Sequence, residues 1–397
     1  MRRLSVLMAT AFVDMLGFAM IFPLLPYYAL RLGTQEWMIG WMIASFSITQ
    51  LASAPLWGRL SDRMGRRGAI IVGLGTSAIA FVVFGFAAQM WMLFLSRVIQ
   101  GLGGGTTGVL QAYVADVTEP KDRAKALGWL SAATGAGVMI GPAIGSLAFG
   151  LGPAAPGLVA AGLCLVNIVF AWRMLPESNT GRKHEEMAGT DVPKQRSIRS
   201  MVLEVLRRPG DDVPQLIWIY AVGMLGFMSM AAVLALYLAV DFGITEKNIF
   251  IFFVYIGGIG VVMRAVMLGK LVDWLGEVKL MRVGAACLAL GLVIIPLPNT
   301  VVTLGLALGL VPIGTACLFP ATSALITHRV PRRQLGQTLG VQQAFGGMAR
   351  VIAPIWATAA FQGLGTSVPF YIAGAVVALV TLLAFRVIPR APIPEAA

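Results

Sequence analysis

Apolar runs about 20 residues long, the length that crosses a bilayer's hydrocarbon core, recur along the chain with short polar turns between them. Twelve can be delimited: Leu4–Tyr28, Trp37–Ser61, Ala69–Ala88, Trp91–Ala115, Ala126–Phe149, Pro156–Leu175, Pro214–Val240, Asn248–Leu271, Leu280–Leu297, Val301–Thr327, Leu335–Phe361 and Ser367–Ile388. They have neither the alternation of a half-buried strand nor the single polar stripe of a surface helix, so each predicts a membrane-spanning helix. The one long polar stretch, Pro176 to Asp212, divides the runs into two sets of six and predicts a short amphipathic helix around Ile198–Leu206. The expected organisation is a bundle over 1–176, a linker over 177–212 and a second bundle over 213–397. The fold class is an all-α polytopic membrane protein of twelve helices in two pseudo-symmetric six-helix bundles.

Composition agrees with this reading. The 397 residues are 58% hydrophobic and 12% charged, and the mean hydropathy is +0.82. A soluble protein carries about 25% charged residues. The formal charge of +12 would suggest nucleic acid in a soluble chain, but here it follows from loops rich in Lys and Arg. Of 30 such residues, 25 fall on one alternating set of loops and ends; Arg31 and Lys247 lie on the other, and Arg97, Arg264 and Arg350 lie inside runs. The positive-inside rule then places both termini and the linker in the cytoplasm. Met1 to Phe18 begins like a signal sequence but has no convincing cleavage site, and Asp14 interrupts it, so an uncleaved first helix is expected. Cys164, Cys287 and Cys317 lie within apolar runs and suggest neither a disulfide framework nor a metal site.

The halves repeat at an offset of about 210 residues. "MLGF" at Met15–Phe18 returns at Met224–Phe227, and "GRLSDRMG" at Gly58–Gly65 returns as "GKLVDWLG" at Gly269–Gly276, pairing Asp62 with Asp273. Pro142 likewise matches Pro354. Parallel repeats of this kind build secondary transporters.

Four motifs carry a closer resemblance. Gly58, Leu60, Asp62, Arg63, Gly65, Arg66 and Arg67 lie between runs two and three; "LSRVIQGLGGG" at Leu95–Gly105 lies in run four; "GAGVMIGPAIGS" at Gly135–Ser146 lies in run five; and "VDMLGFAMIFPLLPYY" at Val13–Tyr28 lies in run one. With these the chain resembles the major facilitator superfamily (MFS), in its twelve-span drug:proton antiporter branch of tetracycline and multidrug exporters. The resemblance covers nearly the whole chain, with its signatures mostly in the first half. It implies an inner (plasma) membrane antiporter, a monomer, that exchanges protons for small molecules by alternating access, with no cofactor, no metal, no enzymatic activity and no nucleic-acid partner. Its partners are a small-molecule substrate, protons and the lipid bilayer.

Residue roles follow, some from chemistry and some from the resemblance. Asp14 is the one acid placed inside a run, about 15 Å from Leu4 at 1.5 Å per residue, where a carboxylate can take up and release a proton. Arg97, about 9 Å inside its run, costs at least ~2.5 kcal/mol there unless paired or solvated. The resemblance assigns it to proton transfer, acting on a carboxylate or holding water. Asp62, Arg63, Arg66, Arg67, Asp116, Arg123 and Asp273, with Gly58 and Gly65, form the expected gating network at the cytoplasmic turns. Gly137, Gly141 and Gly145 share one helix face and, with the bend at Pro142, predict close helix packing; Ser146 replaces the usual final glycine of that motif. "GLGGGTTG" in run four lacks the strand and lysine of a phosphate loop and reads as packing. Phe18, Met20, Gln100, Met224, Phe227, Met228 and Arg350 are the expected substrate-cavity residues, Met residues suiting an adaptable apolar wall. One embedded acid against three embedded cations points to a neutral, zwitterionic or anionic substrate. Two alternatives stay open: a facilitator or importer of a metabolite or lipid-like compound, and a non-transporting membrane receptor.

Overall fold

The computed structural model describes residues 2–119, 122–178, 198–385 and 387. Most of the polar linker, together with the last residues of the chain, lies outside them. Among the described residues the regular structure is entirely helical.

The first span is two helices, α1 (Arg2–Ile21) and α2 (Leu25–Arg31), joined by a 3-10 turn over Phe22–Leu24. Pro23 and Pro26 account for the joint, because each lacks the N–H a continuous helix would use. The second and third spans are α3 (Glu36–Met64) and α4 (Arg66–Gly85). The fourth is broken into α5 (Met90–Gly103) and α6 (Thr106–Val117), and the fifth and sixth are α7 (Arg123–Phe149) and α8 (Ala155–Met174). After the linker helix α9 (Ile198–Arg207) come α10 (Asp212–Phe242), α11 (Phe250–Val262), a π-helical turn over Met263–Met267, α12 (Leu268–Ile294), α13 (Val301–Arg329), α14 (Arg332–Leu364) and α15 (Val368–Ala384).

Among the described residues, nine continuous helical stretches are long and apolar enough to cross a membrane. One of the nine, Phe250–Ile294, runs for 45 residues and turns back at Gly276 (φ +71°, ψ 161°), so it supplies two spans. The broken fourth span and the short α15 supply the others, and the twelve apolar runs are all accounted for. Gly276 closes the second-half copy of the loop motif as Gly65 (φ +87°) closes the first. The repeated terminal glycine therefore reflects a left-handed backbone that other residues adopt only at a cost.

The chain divides into two compact units, Met1–Asp191 with Gly243–Gly257, and Val192–Phe242 with Gly258–Ala397. In the first, α1 lies along α7 and α8, α4 along α8 and α5, and α3 along α5. The sequence reading gave 243–257 to the second bundle, but it packs with the first. Glu246 pairs with Arg31, its carbonyl accepts from Ser146 Oγ at 2.9 Å, and Tyr27 Oη donates to the Ile244 carbonyl at 2.9 Å. Gly257 completes the contact, since a Cβ there would come within 3.1 Å of Met139 Cα. In the second unit α12 lies on α13 and α15, and α10 on α14, α15 and α13.

Small residues set the spacing in the first unit. A Cβ on Gly137 would sit 2.5 Å from the Phe12 carbonyl oxygen, and one on Gly141 would sit 2.7 Å from Ala19 Cβ. One on Gly145 would run into the Met20 carbonyl. Three glycines spaced one helical turn apart thus seat α7 directly against the α1 backbone.

Candidate proton and substrate site

Asp14 lies on α1 and is 7% exposed. Its Oδ2 accepts a hydrogen bond from Thr106 Oγ1 at 3.0 Å, and Thr106 is itself buried. Thr106 is the first residue of α6, so its position depends on the break at Gly104 and Gly105. That break is built by packing. A Cβ on Gly101 or Gly105 would run into Thr49 or Trp57, and one on Gly104 would sit 2.8 Å from Gln50 Nε2. Trp57 Nε1 donates to the Leu102 carbonyl at 2.6 Å and Gln50 Nε2 to the Gly104 carbonyl at 3.1 Å, taking up acceptors that a continuous helix would have used internally. The glycine-rich run read from the sequence as packing alone therefore also ends one helix and starts another beside a buried carboxylate. The N-terminal end of a helix carries partial positive charge, which favours an anion there.

Arg97 does not pair with Asp14. It is 1% exposed, its Nε makes a 3.4 Å contact with Ser96 Oγ, and its guanidinium lies 5.6 Å from the centre of the Phe84 ring. Its Nη2 has no hydrogen-bond partner, nor has Oε1 of the buried Gln100 one turn along α5. The carboxylate partner the sequence suggested for Arg97 is thus replaced by Thr106 on the Asp14 side.

Several residues of the expected gating network in the first unit come together. Arg66 pairs with Asp62 at 2.9 Å and with Asp116 at 3.2 Å, and Arg123 Nη2 donates to the Ala115 carbonyl at 2.9 Å. Arg67 donates to the Trp172 carbonyl, while Arg63 is exposed at the end of α3. Gly58 has open space around it and is not a contact point. Sequence reasoning missed Glu177. Its carboxylate accepts from the backbone N–H groups of Arg66 at 2.8 Å and Arg67 at 3.2 Å, capping the start of α4 beside Gly65. In the second unit, the matching Asp273 is exposed and makes no ion pair among the described residues; Glu277 instead meets His328 at 3.2 Å.

The remaining candidates separate by unit. Phe18 lies on the Phe22 and Phe46 rings, with centroids 5.9 and 5.2 Å away. Met20 is fully enclosed where α1 meets α7, so its side chain presents no free surface. In the second unit, buried Met224, Tyr220 and Ala349 form one cluster, against which the partly buried Phe227, Met228 and Phe319 pack. Arg350, next to Ala349, is half-buried and without an ion pair among the described residues. Arg264 on the π-helical turn is also without one, and is exposed.

Many spanning helices, a buried carboxylate held by a neutral hydroxyl and embedded cations without acidic partners among the described residues define a polytopic membrane protein with charge built into its spans. The chain belongs to the Major Facilitator Superfamily, whose family model matches residues 7–313 and 303–397. It is 27% identical over 378 residues to multidrug resistance protein 1 of Bacillus subtilis (strain 168), covering 95% of this chain and 94% of that protein. It is also 27% identical over 398 residues to the class C tetracycline resistance protein of Escherichia coli, covering 96% of each. The fold matches that of the human organic anion transporter MFSD10 (TETRAN) with a TM-score of 0.71 at 20% identity, over 96% of this chain and 99% of that one.

Proposed function

We propose that this protein is a proton-coupled antiporter that exports small amphipathic, drug-like molecules across the plasma membrane by alternating access, with both termini in the cytoplasm. The observation that carries the coupling is Asp14, a buried carboxylate in the first span whose partner is a hydroxyl rather than a fixed cation. An ion pair would keep the carboxylate charged, whereas a hydroxyl can donate to the charged form and accept from the neutral one. Inward movement of one proton is driven by about 2.3 kcal/mol per 100 mV of membrane potential, plus the pH gradient. Similarity to multidrug and tetracycline resistance proteins supports export of drug-like compounds.

The embedded charges favour a neutral, zwitterionic or anionic substrate. Arg97, Arg264 and Arg350 lack carboxylate partners among the described residues, and each is costly inside a membrane unless something compensates it. The cluster of Tyr220, Met224, Phe227, Met228 and Phe319, which includes Ala349 directly before Arg350 in the chain, supplies an adaptable apolar surface.

The test is drug-driven proton movement in everted vesicles holding an imposed pH gradient. Adding a substrate should release protons from the vesicle lumen with wild-type protein and not with Asp14→Asn. Equal proton release from both would refute the assignment to Asp14, and accumulation unaffected by an uncoupler would refute coupling altogether.

A further inference from the structure

We propose that Thr106 is the positioning residue for the transported proton: its hydroxyl, delivered by the helix restart inside the fourth span, holds Asp14 ready to release and recapture H⁺. This deepens the coupling reading above and rests on it. Three observations lead to it. The hydrogen bond is buried at both ends and links residues far apart in the chain. Thr106 occupies the first position of α6, where the chain has just left α5 at Gly104. Its methyl group is packed independently, against the position where Gly73 of α4 leaves room for nothing larger than hydrogen. The two ends of the side chain therefore do separate jobs, and substitutions can separate them.

Among the described residues the carboxylate makes no ion pair. On the helices packed against α1, α7 has no charged residue from Ala126 to Phe149, and α6 has only Asp116, near its far end. On α8 the titratable side chains are the buried Cys164 and, at the helix end, Arg173. The charges of α4, reached through Phe81 against Gly17, are Arg66 and Arg67 at its start. Arg97 on α5 makes no ion pair with Asp14 among the described residues. With the carboxylate charged, Thr106 donates to it. With Asp14 protonated, the same oxygen accepts the acid proton while its own hydrogen turns to a carbonyl of the preceding turn. Valine can do neither. Serine can do both but lacks the methyl group.

The experiment is an infrared pH titration of purified full-length protein in lipid nanodiscs, following the carboxylic-acid carbonyl band that disappears in Asp14→Asn. It needs no identified substrate. Thr106→Val removes a donor that favours the charged form, so its band should persist to higher pH by about one unit, a tenfold change in proton affinity. Thr106→Ser should titrate like wild type. A Val midpoint equal to wild type in folded protein overturns the proposal, as does a Ser variant shifted as far as Val, which would make the methyl packing responsible. Should the Val shift appear while wild-type export proceeds without proton movement, the coupling reading fails and takes the transport role of Thr106 with it, leaving only its hydrogen bond to Asp14. A band that no variant moves and no pH titrates overturns both.

Discussion

Replacing Gly141 with Ala should destabilise the first unit by an amount the structure bounds. The new Cβ would lie 2.7 Å from Ala19 Cβ, 2.8 Å from the Leu16 carbonyl oxygen and 3.0 Å from the Ala19 carbonyl carbon. Carbon atoms pack at about 3.5–4.0 Å, so α1 and α7 must separate by roughly 1 Å, or α7 must rotate. Overpacking of this size costs about 1–3 kcal/mol. Ala for Gly in a helix returns about 1 kcal/mol, which would mask part of the effect. Gly135 provides the control: it lies on the same helix, and a Cβ added there would have nothing within 4 Å. Gly135→Ala gains the propensity without the clash, so the difference between the variants isolates the packing term at about 1–3 kcal/mol. SDS-driven unfolding of purified protein, followed by tryptophan fluorescence, would measure it. Equal stability of the two variants would refute the claim that these glycines set the α1–α7 spacing.

Three further outcomes are expected. Asp14→Asn should still bind substrate in a thermal-shift assay while losing the pH dependence of that binding, because only the exchangeable proton is removed. Ser146→Gly deletes the 2.9 Å bond to the Glu246 carbonyl; it should cost about 0.5–1.5 kcal/mol and appear as faster hydrogen exchange confined to the 243–257 segment. Arg350→Ala should weaken export of anionic or zwitterionic substrates about tenfold or more, in line with about 1.5–3 kcal/mol for a hydrogen bond to a charged group; a permanent cation that is the best substrate and is unaffected by the change would refute the charge argument.

The spans were legible because bilayer crossing imposes length and apolarity on every one of them, and both signals are local in sequence. Asp14 and the three embedded arginines were legible for the same reason, since a charge in an apolar run stands out. Hidden features were those that depend on where two distant segments meet. Thr106 gives no signal in a span, because a threonine is tolerated there as readily as a small apolar residue. Its importance comes from a partner on another helix. Glu177 lies in a polar stretch where a carboxylate is ordinary, until its contact with the α4 N-terminus appears. The π-helical turn at Met263–Met267 leaves no mark on hydrophobic periodicity. Ser146, a departure from its motif by sequence, acquires a reason from the carbonyl it meets about 100 residues away.

The glycine run Gly101–Gly105 connects these points. Read as a pattern, it allows close helix approach, and the positions where Thr49, Gln50, Thr76 and Trp57 would collide with added side chains bear out that physical requirement. Close approach also brings Gln50 and Trp57 near enough to donate to the carbonyls of Gly104 and Leu102, so interrupting the helix no longer leaves those acceptors unpaired in an apolar medium, where each would cost several kcal/mol. An interruption satisfied in this way can persist inside a membrane. It places a helix start, with its partial positive charge and its first hydroxyl, at the depth of Asp14. Helix packing and the setting of the buried carboxylate are thus one feature here: without small residues the neighbours could not reach in, without the neighbours the break would not be stable, and without the break Thr106 would not face the carboxylate.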